Sequence, residues 1–214
     1  IFLIVNLFLL SEAQRSAKQQ NKCASGEVSG MEFFSKEMTL IMLQRTYNFT
    51  DVLNESICVK SEFMSAVYPN NTVARTFTYR NISSTRFLDG NPLVRPWPIA
   101  KVLLHFYTTN IFPSRPQSNY KLNYVNSTLL WSANDYSLPY PLWRFKYFDT
   151  NCAVLEVLSA DSSIPDDTKC EMWARGYKNA TEINMADYES CGDFFTKTCY
   201  TEYPTQVYFK ELCR

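Results

Sequence analysis

Glycine is scarce in this chain, with five in 214 residues. That excludes flexible glycine-rich linkers, and no internal domain boundary is visible. Histidine is scarcer still, because His105 stands alone. It falls in the apolar run "VLLHFY", where a packed core imidazole is the expected role. No Ser or Cys nucleophile has an evident base partner, and Asp166-Asp167 sits in a polar loop, so an enzyme is not expected. No two cysteines form a CxxC pair, which argues against zinc and thioredoxin-type sites, and no metal or cofactor is expected. Charge of one sign is lacking too. Glu12 leaves with the leader described next, so 21 basic residues face 20 acidic ones, without a basic block. Nucleic acid and acidic membranes are therefore poor partners. Repeats and low-complexity tracts are absent.

Long hydrophobic runs are missing after the first. "IFLIVNLFLLSEA", residues 1–13, holds about ten apolar residues before a small-residue site. It is too short to span a bilayer and fits the apolar core of a secretory signal peptide. The chain begins at Ile1 rather than Met, so this leader is read as N-terminally incomplete. Residues 14–214 then form a single domain, large enough for one sizeable core.

Cysteine is what the chain does have. The seven are Cys23, Cys58, Cys152, Cys170, Cys191, Cys199 and Cys213. Six sequons, at Asn48, Asn54, Asn70, Asn81, Asn126 and Asn179, agree with a secreted, extracellular glycoprotein.

Strand-like runs dominate. They are read near 39–47, 56–68, 72–82, 99–108, 119–129, 142–149, 152–158 and 169–174, separated by turn-rich pieces. Eight sequential strands predict an antiparallel sheet closing on itself. Alternation puts Val73, Arg75, Phe77 and Tyr79 on one face, read as inward. It does the same for Trp143, Phe145 and Tyr147. In "KCEMWARG" it pairs Glu171 with Trp173. One helix is predicted over 184–198, with Asn184 as N-cap and Met185, Tyr188, Gly192, Phe195 and Cys199 on its apolar face. Gly192 there implies either close packing or a loose helix.

"TNCAVLEV", then "KCEMWARG", a helix bearing Cys191, and Cys213 one residue from the end resemble the tick salivary lipocalins. The histamine-binding group is the nearest set. "QRTY" before Cys58 carries the same resemblance, while "SGMEFF" stands where lipocalins place Gly-x-Trp. The resemblance implies an all-β, eight-stranded antiparallel lipocalin-type barrel with a C-terminal α-helix, a tick-salivary location, and a small host mediator held inside. It also implies two disulfides by position, Cys58–Cys213 and Cys152–Cys191. A third is expected between Cys170 and Cys199. Cys23 is then odd: free, paired with another molecule, or displacing that third bond.

Family members differ in cargo: histamine or serotonin, leukotrienes, fatty acids or sterols, or host proteins such as complement. A scavenger holds its mediator at about nanomolar affinity, about −12 kcal/mol. Histamine, with about eight heavy atoms, must then supply about −1.5 kcal/mol per atom, the ceiling for tiny ligands. By resemblance Tyr47, Asp51 and Glu171 match contacts of the amine pocket, with Asp51 one residue out of spacing. Pro141, Trp143 and Ala153 stand where other amine contacts are expected. A lipid of about 25 heavy atoms needs only about −0.5 kcal/mol per atom. Phe77, Tyr79, Trp143, Phe145 and Tyr147 offer walls, and Arg75 offers an anchor for a carboxylate. The reading therefore leans to a lipid over an amine. Trp173 is core or ligand wall, and Arg75 is lipid anchor or internal partner of Glu171. Monomeric capture is the main expectation. Surface binding of a host protein through loops 83–98 and 109–118 is the alternative.

Overall fold

The structure, a computed structural model, describes residues 29–47, 56–81, 87–88, 91–92, 96–108, 122–139, 141–158, 169–176, 183–199 and 204–213. The leader 1–13, Cys23, Asp51 and the sequons at Asn48, Asn54 and Asn179 lie outside them. Of the sequons inside, Asn70 and Asn126 are exposed and Asn81 is half-buried.

Eight strands build the barrel. They are β1 (Leu40–Arg45), β2 (Ser56–Val67), β3 (Thr72–Asn81), β6 (Ile99–Tyr107), β7 (Tyr124–Ala133), β8 (Trp143–Phe148), β9 (Cys152–Val157) and β10 (Cys170–Arg175). A small separate hairpin, β4 (Phe87–Leu88) and β5 (Asn91–Pro92), lies between β3 and β6. Neighbours in the barrel run antiparallel, and β10 pairs back onto β1 to close it. Eight strands leave an interior just wide enough for side chains or one small ligand.

Seven strands start and end within one or two residues of expectation. The fifth is displaced: 119–129 was expected and Tyr124–Ala133 is found. Leu122 has φ 52, which no regular strand allows, so pairing begins at Tyr124 and runs on to Ala133 opposite Ile99. His105 is corrected as well. Val102, Leu104 and Phe106 point into the core, so His105 faces out, half-exposed, with a ring nitrogen 3.2 Å from Thr128 Oγ1.

The ladders show five register shifts, and three of them, in β8, β1 and β2, bear on the site, because one extra residue inverts every later side chain. In β8 the register shifts between Phe145 and Tyr147. Phe148 takes the inward place against Phe145, and Tyr147 turns outward to stack on Phe194 at 5.0 Å. The expected run Trp143, Phe145, Tyr147 is therefore broken at its last member. In β1 the register shifts between Met42 and Gln44. Leu40 and Met42 face in, and beyond the bulge Arg45, opposite Glu171, faces in with them. In β2 a shift between Ile57 and Lys60 falls at Cys58, whose φ is 57.

The seam between β1 and β2 is thin, with Leu40 opposite Ser61 and Ile41 opposite Lys60. The C-terminal tail patches it. Strand β11 (Thr205–Gln206) pairs with Gln44 and Arg45, and Cys58 N donates to Val207 O at 2.8 Å. The Cys58–Cys213 bond anchors that tail.

One end of the barrel is closed by helix α1 (Gly30–Phe34), within the "SGMEFF" stretch. It is too short for a helical period to be read from sequence. Ser29 caps it, accepting from Met31 N at 3.2 Å. Phe34 stacks on Trp143 at 5.5 Å and meets Phe145 edge-on at 5.9 Å. A Cβ on Gly30 would lie 2.5 Å from the Phe145 ring and 2.7 Å from Leu122 O, so only glycine fits. Two arginines hold the chain leaving this helix. Arg75 donates to Phe34 O, Lys36 O and Met38 O, and Arg175 donates to Glu32 O and Phe33 O. The Glu32, Phe33 and Phe34 carbonyls are acceptors that a helix end leaves open, and those of Lys36 and Met38 lie in the segment beyond it.

On the outer wall, a 3₁₀ turn (Met185–Tyr188) leads into helix α2 (Glu189–Thr198). The α-helix expected over 184–198 thus begins only at Glu189, and Asn184 caps the 3₁₀ turn before it, accepting from Ala186 N at 3.2 Å. The buried face is Tyr188, Cys191, Phe195 and Cys199, while Met185 is 51% exposed. Gly192 does not serve close packing, since nothing lies within 4 Å of a Cβ placed there. All three expected disulfides are formed. Cys152–Cys191 and Cys170–Cys199 staple the helix to β9 and β10. The third bond also removes one of the three fates of Cys23. In the chain-entropy model the separations of 155, 39 and 29 residues are worth about 5, 4 and 3.5 kcal/mol, as upper values.

Candidate functional site

The polar group at the barrel's heart is Glu171 on β10, 4% exposed. Trp173 Nε1–H donates to its Oε2 at 2.8 Å, and the Tyr47 hydroxyl donates to its Oε1. Arg45, 2% exposed, lies across the ladder and donates to Ser56 Oγ at 3.0 Å. Burial raises the Glu171 pKa, opposed by the Tyr47 and Trp173 hydrogen bonds and the Arg45 charge. Burial, followed by the Glu171 charge, pushes the Tyr47 hydroxyl well above its usual range and keeps it a donor. Burial lowers the Arg45 pKa, and Tyr47 and Glu171 oppose that.

Around this group lies a cavity lined by Met42, Val59, Phe77, Trp143, Trp173 and, from the mouth, Tyr136 with Leu138. Trp173 meets Phe77 edge-on at 6.1 Å and Trp143 at 5.9 Å. The space open to a water centre is about 20 Å³. One water needs about 10–15 Å³ by that measure, so the empty site has room for one or two waters.

Of the residues singled out from sequence, the fold brings Phe77, Trp143, Glu171 and Trp173 to the cavity and sets Tyr47 on Glu171. Tyr79 stands behind Tyr136, edge-on at 5.6 Å, with its hydroxyl on Ser137. Phe145 belongs to the closed end, packed on Phe34 and Phe148. Asp51 is outside the described residues. Arg75 needs correction in both of its expected roles. Its five N–H donors go to Ser61 Oγ, Ser61 O, Phe34 O, Lys36 O and Met38 O, not to Glu171 and not to the cavity. Burial, then the charge of Arg175, lowers its pKa to about 9, so it stays charged at neutral pH.

Arg45 is the residue that sequence reasoning missed. Plain alternation from Leu40 turns it outward, and only the β1 bulge brings it in. Its place in "QRTY" beside Tyr47 was the available signal. Tyr136 and Leu138 were missed because "NDYSLP" reads as a turn.

A family model described as tick histamine binding protein matches residues 17–214. The chain belongs to the tick histamine-binding protein family. No curated protein matches it. Among solved structures, this tick histamine-binding family member is similar to Japanin from Rhipicephalus appendiculatus bound to cholesterol. The identity there is 16% and the TM-score 0.47, over 82% of this chain and 95% of that one. It is also similar to lobster apocrustacyanin A1, with 10% identity, a TM-score of 0.40, and 84% and 81% covered. For apocrustacyanin C1 the values are 12%, 0.42, 88% and 86%.

Proposed function

We propose that this family member is secreted and, as a monomer, sequesters a small host amine such as histamine or serotonin in the barrel cavity. The observation that carries this reading is a buried carboxylate, Glu171, set among the rings of Phe77, Trp143 and Trp173. Such a site offers an ammonium ion an ion pair and aromatic faces together. Burial raises the Glu171 pKa, and the Tyr47 and Trp173 hydrogen bonds with the Arg45 charge hold that rise back, towards the ionised form that an amine requires. The sequence leaned to a lipid, but the expected anchor, Arg75, is committed to the closed end. The cavity, with about 20 Å³ open to a water centre, must widen for either cargo, and by less for an amine than for a lipid of about 25 heavy atoms.

Titration calorimetry of the secreted protein with histamine, serotonin, a leukotriene and oleate tests this. Amine binding near nanomolar Kd with weaker lipid binding is expected. Tight lipid binding with no amine binding refutes the choice of cargo.

A second reading, surface binding of a host protein, is favoured by Leu130 and Trp131. They stand 56% and 48% exposed side by side on β7. Retention of no small molecule in native mass spectrometry, with no uptake from the panel, supports that reading instead.

A further inference from the structure

We infer that residues 134–139, between β7 and β8, set the upper size of the ligand, and that Tyr79 is the positioning residue that holds them. This rests on the capture reading above. The cavity takes one or two waters, so even a ligand of about eight heavy atoms enters only if part of the wall moves.

The walls differ in how firmly they are tied. Met42, Val59, Phe77, Trp143, Glu171 and Trp173 lie on strands paired within the closed barrel. Tyr136, Leu138 and Pro139 lie on no strand. Their segment leaves β7 through Asn134 and Asp135, with φ 58 and 59, and this left-handed pair turns the chain back over the mouth. Asn134 Nδ2 donates to Trp97 O at 3.0 Å at the edge. Over the cavity, two polar ties of the segment meet at one atom. The Tyr79 hydroxyl accepts from Ser137 N at 3.1 Å and shares a hydrogen bond with Ser137 Oγ at 3.0 Å. The Tyr79 ring also supports Tyr136 from behind.

With the segment down, Leu138 and Pro139 occupy the open end of the barrel, where the tail of a longer ligand would lie. With it raised, the barrel lengthens. The latch therefore discriminates by size: a small amine needs a brief opening, whereas a long-chain ligand needs the segment held open. The apparent affinity for the long ligand scales with the fraction of open molecules.

Tyr79→Phe removes the hydroxyl and keeps the ring. Two measurements follow. Amide hydrogen exchange, read without ligand, is expected to speed up about tenfold at Ser137 and to stay unchanged in β3 and β6. Oleate affinity is expected to rise about tenfold relative to histamine affinity. Ser137→Ala, which keeps the amide bond to Tyr79, is expected to give a smaller change in the same direction. Unchanged Ser137 exchange in Tyr79→Phe overturns the latch. Faster exchange with an unchanged oleate-to-histamine ratio overturns the size filter. If wild type binds neither probe, the capture reading fails while the exchange result still decides the latch.

Discussion

Replacing Glu171 by Gln separates a binding group from a structural one. The carboxylate takes two hydrogen bonds, from Trp173 Nε1–H and from the Tyr47 hydroxyl. A glutamine keeps its oxygen for the indole, which can only donate, and turns its amide to the Tyr47 oxygen. One donor then loses its acceptor, a cost of about 1 kcal/mol. Relief of a buried charge opposes that cost. Burial raises the Glu171 pKa above 4.5, so the folded state keeps the proton over a window in which the unfolded chain has lost it. Native stability therefore falls as pH rises through that window, and glutamine removes the loss. The variant is expected to melt within a few degrees of wild type at pH 7.5, and its relative stability should improve as pH rises from 4.5. Binding behaves differently. Losing an ion pair to a desolvated ammonium costs about 3 kcal/mol, or about 150-fold in Kd. Calorimetric titration of histamine at pH 7.5 reads this, with oleate as control. Wild-type amine affinity should also fall as pH drops through the raised Glu171 pKa, and the variant should lack that dependence. Unchanged histamine affinity in Glu171→Gln, or equal loss of both ligands, would refute the reasoning and make Glu171 a structural group.

Other outcomes follow from the same contacts. Gly30→Ala forces a methyl group into the Phe145 ring and the Leu122 carbonyl and should cost about 1–3 kcal/mol in chemical denaturation. Gly192→Ala meets nothing within 4 Å in the middle of α2 and should stabilise by about 0.5–1 kcal/mol, seen as a higher Tm. Arg75→Met removes the donor shared by five acceptors, of which Lys36 O keeps the Met38 N–H, and should cost about 3 kcal/mol or more. Loss of less than about 1 kcal/mol there would show that the α1 segment does not depend on it.

The barrel was legible because its strands alternate and follow one another in sequence with turn-rich pieces between most of them, and the resemblance to the tick salivary lipocalins carried two of the disulfides. Glu171 and Trp173 were legible for the same reason, since β10 is regular from Cys170 to Arg175. What failed was local and non-periodic. A bulge carries no fixed residue signature, so Tyr147 was turned the wrong way and Arg45 was overlooked. Arg75 was placed on the correct face, yet its partners come from a five-residue helix that no periodicity announces. Lining residues from the 134–139 segment were invisible because turn chemistry says where a chain bends, not what it covers.

The extra residue in β1 has an evolutionary corollary. Closing the bulge with every residue kept would restore strict alternation and exchange Arg45 and Tyr47 for Gln44 and Thr46 on the inner surface, whereas deleting Leu43 would leave Arg45 and Tyr47 facing in. The rest of the scaffold could stay as it is. A substitution that straightens β1, rather than a deletion there, is thus a short genetic route from a charged lining to a neutral one.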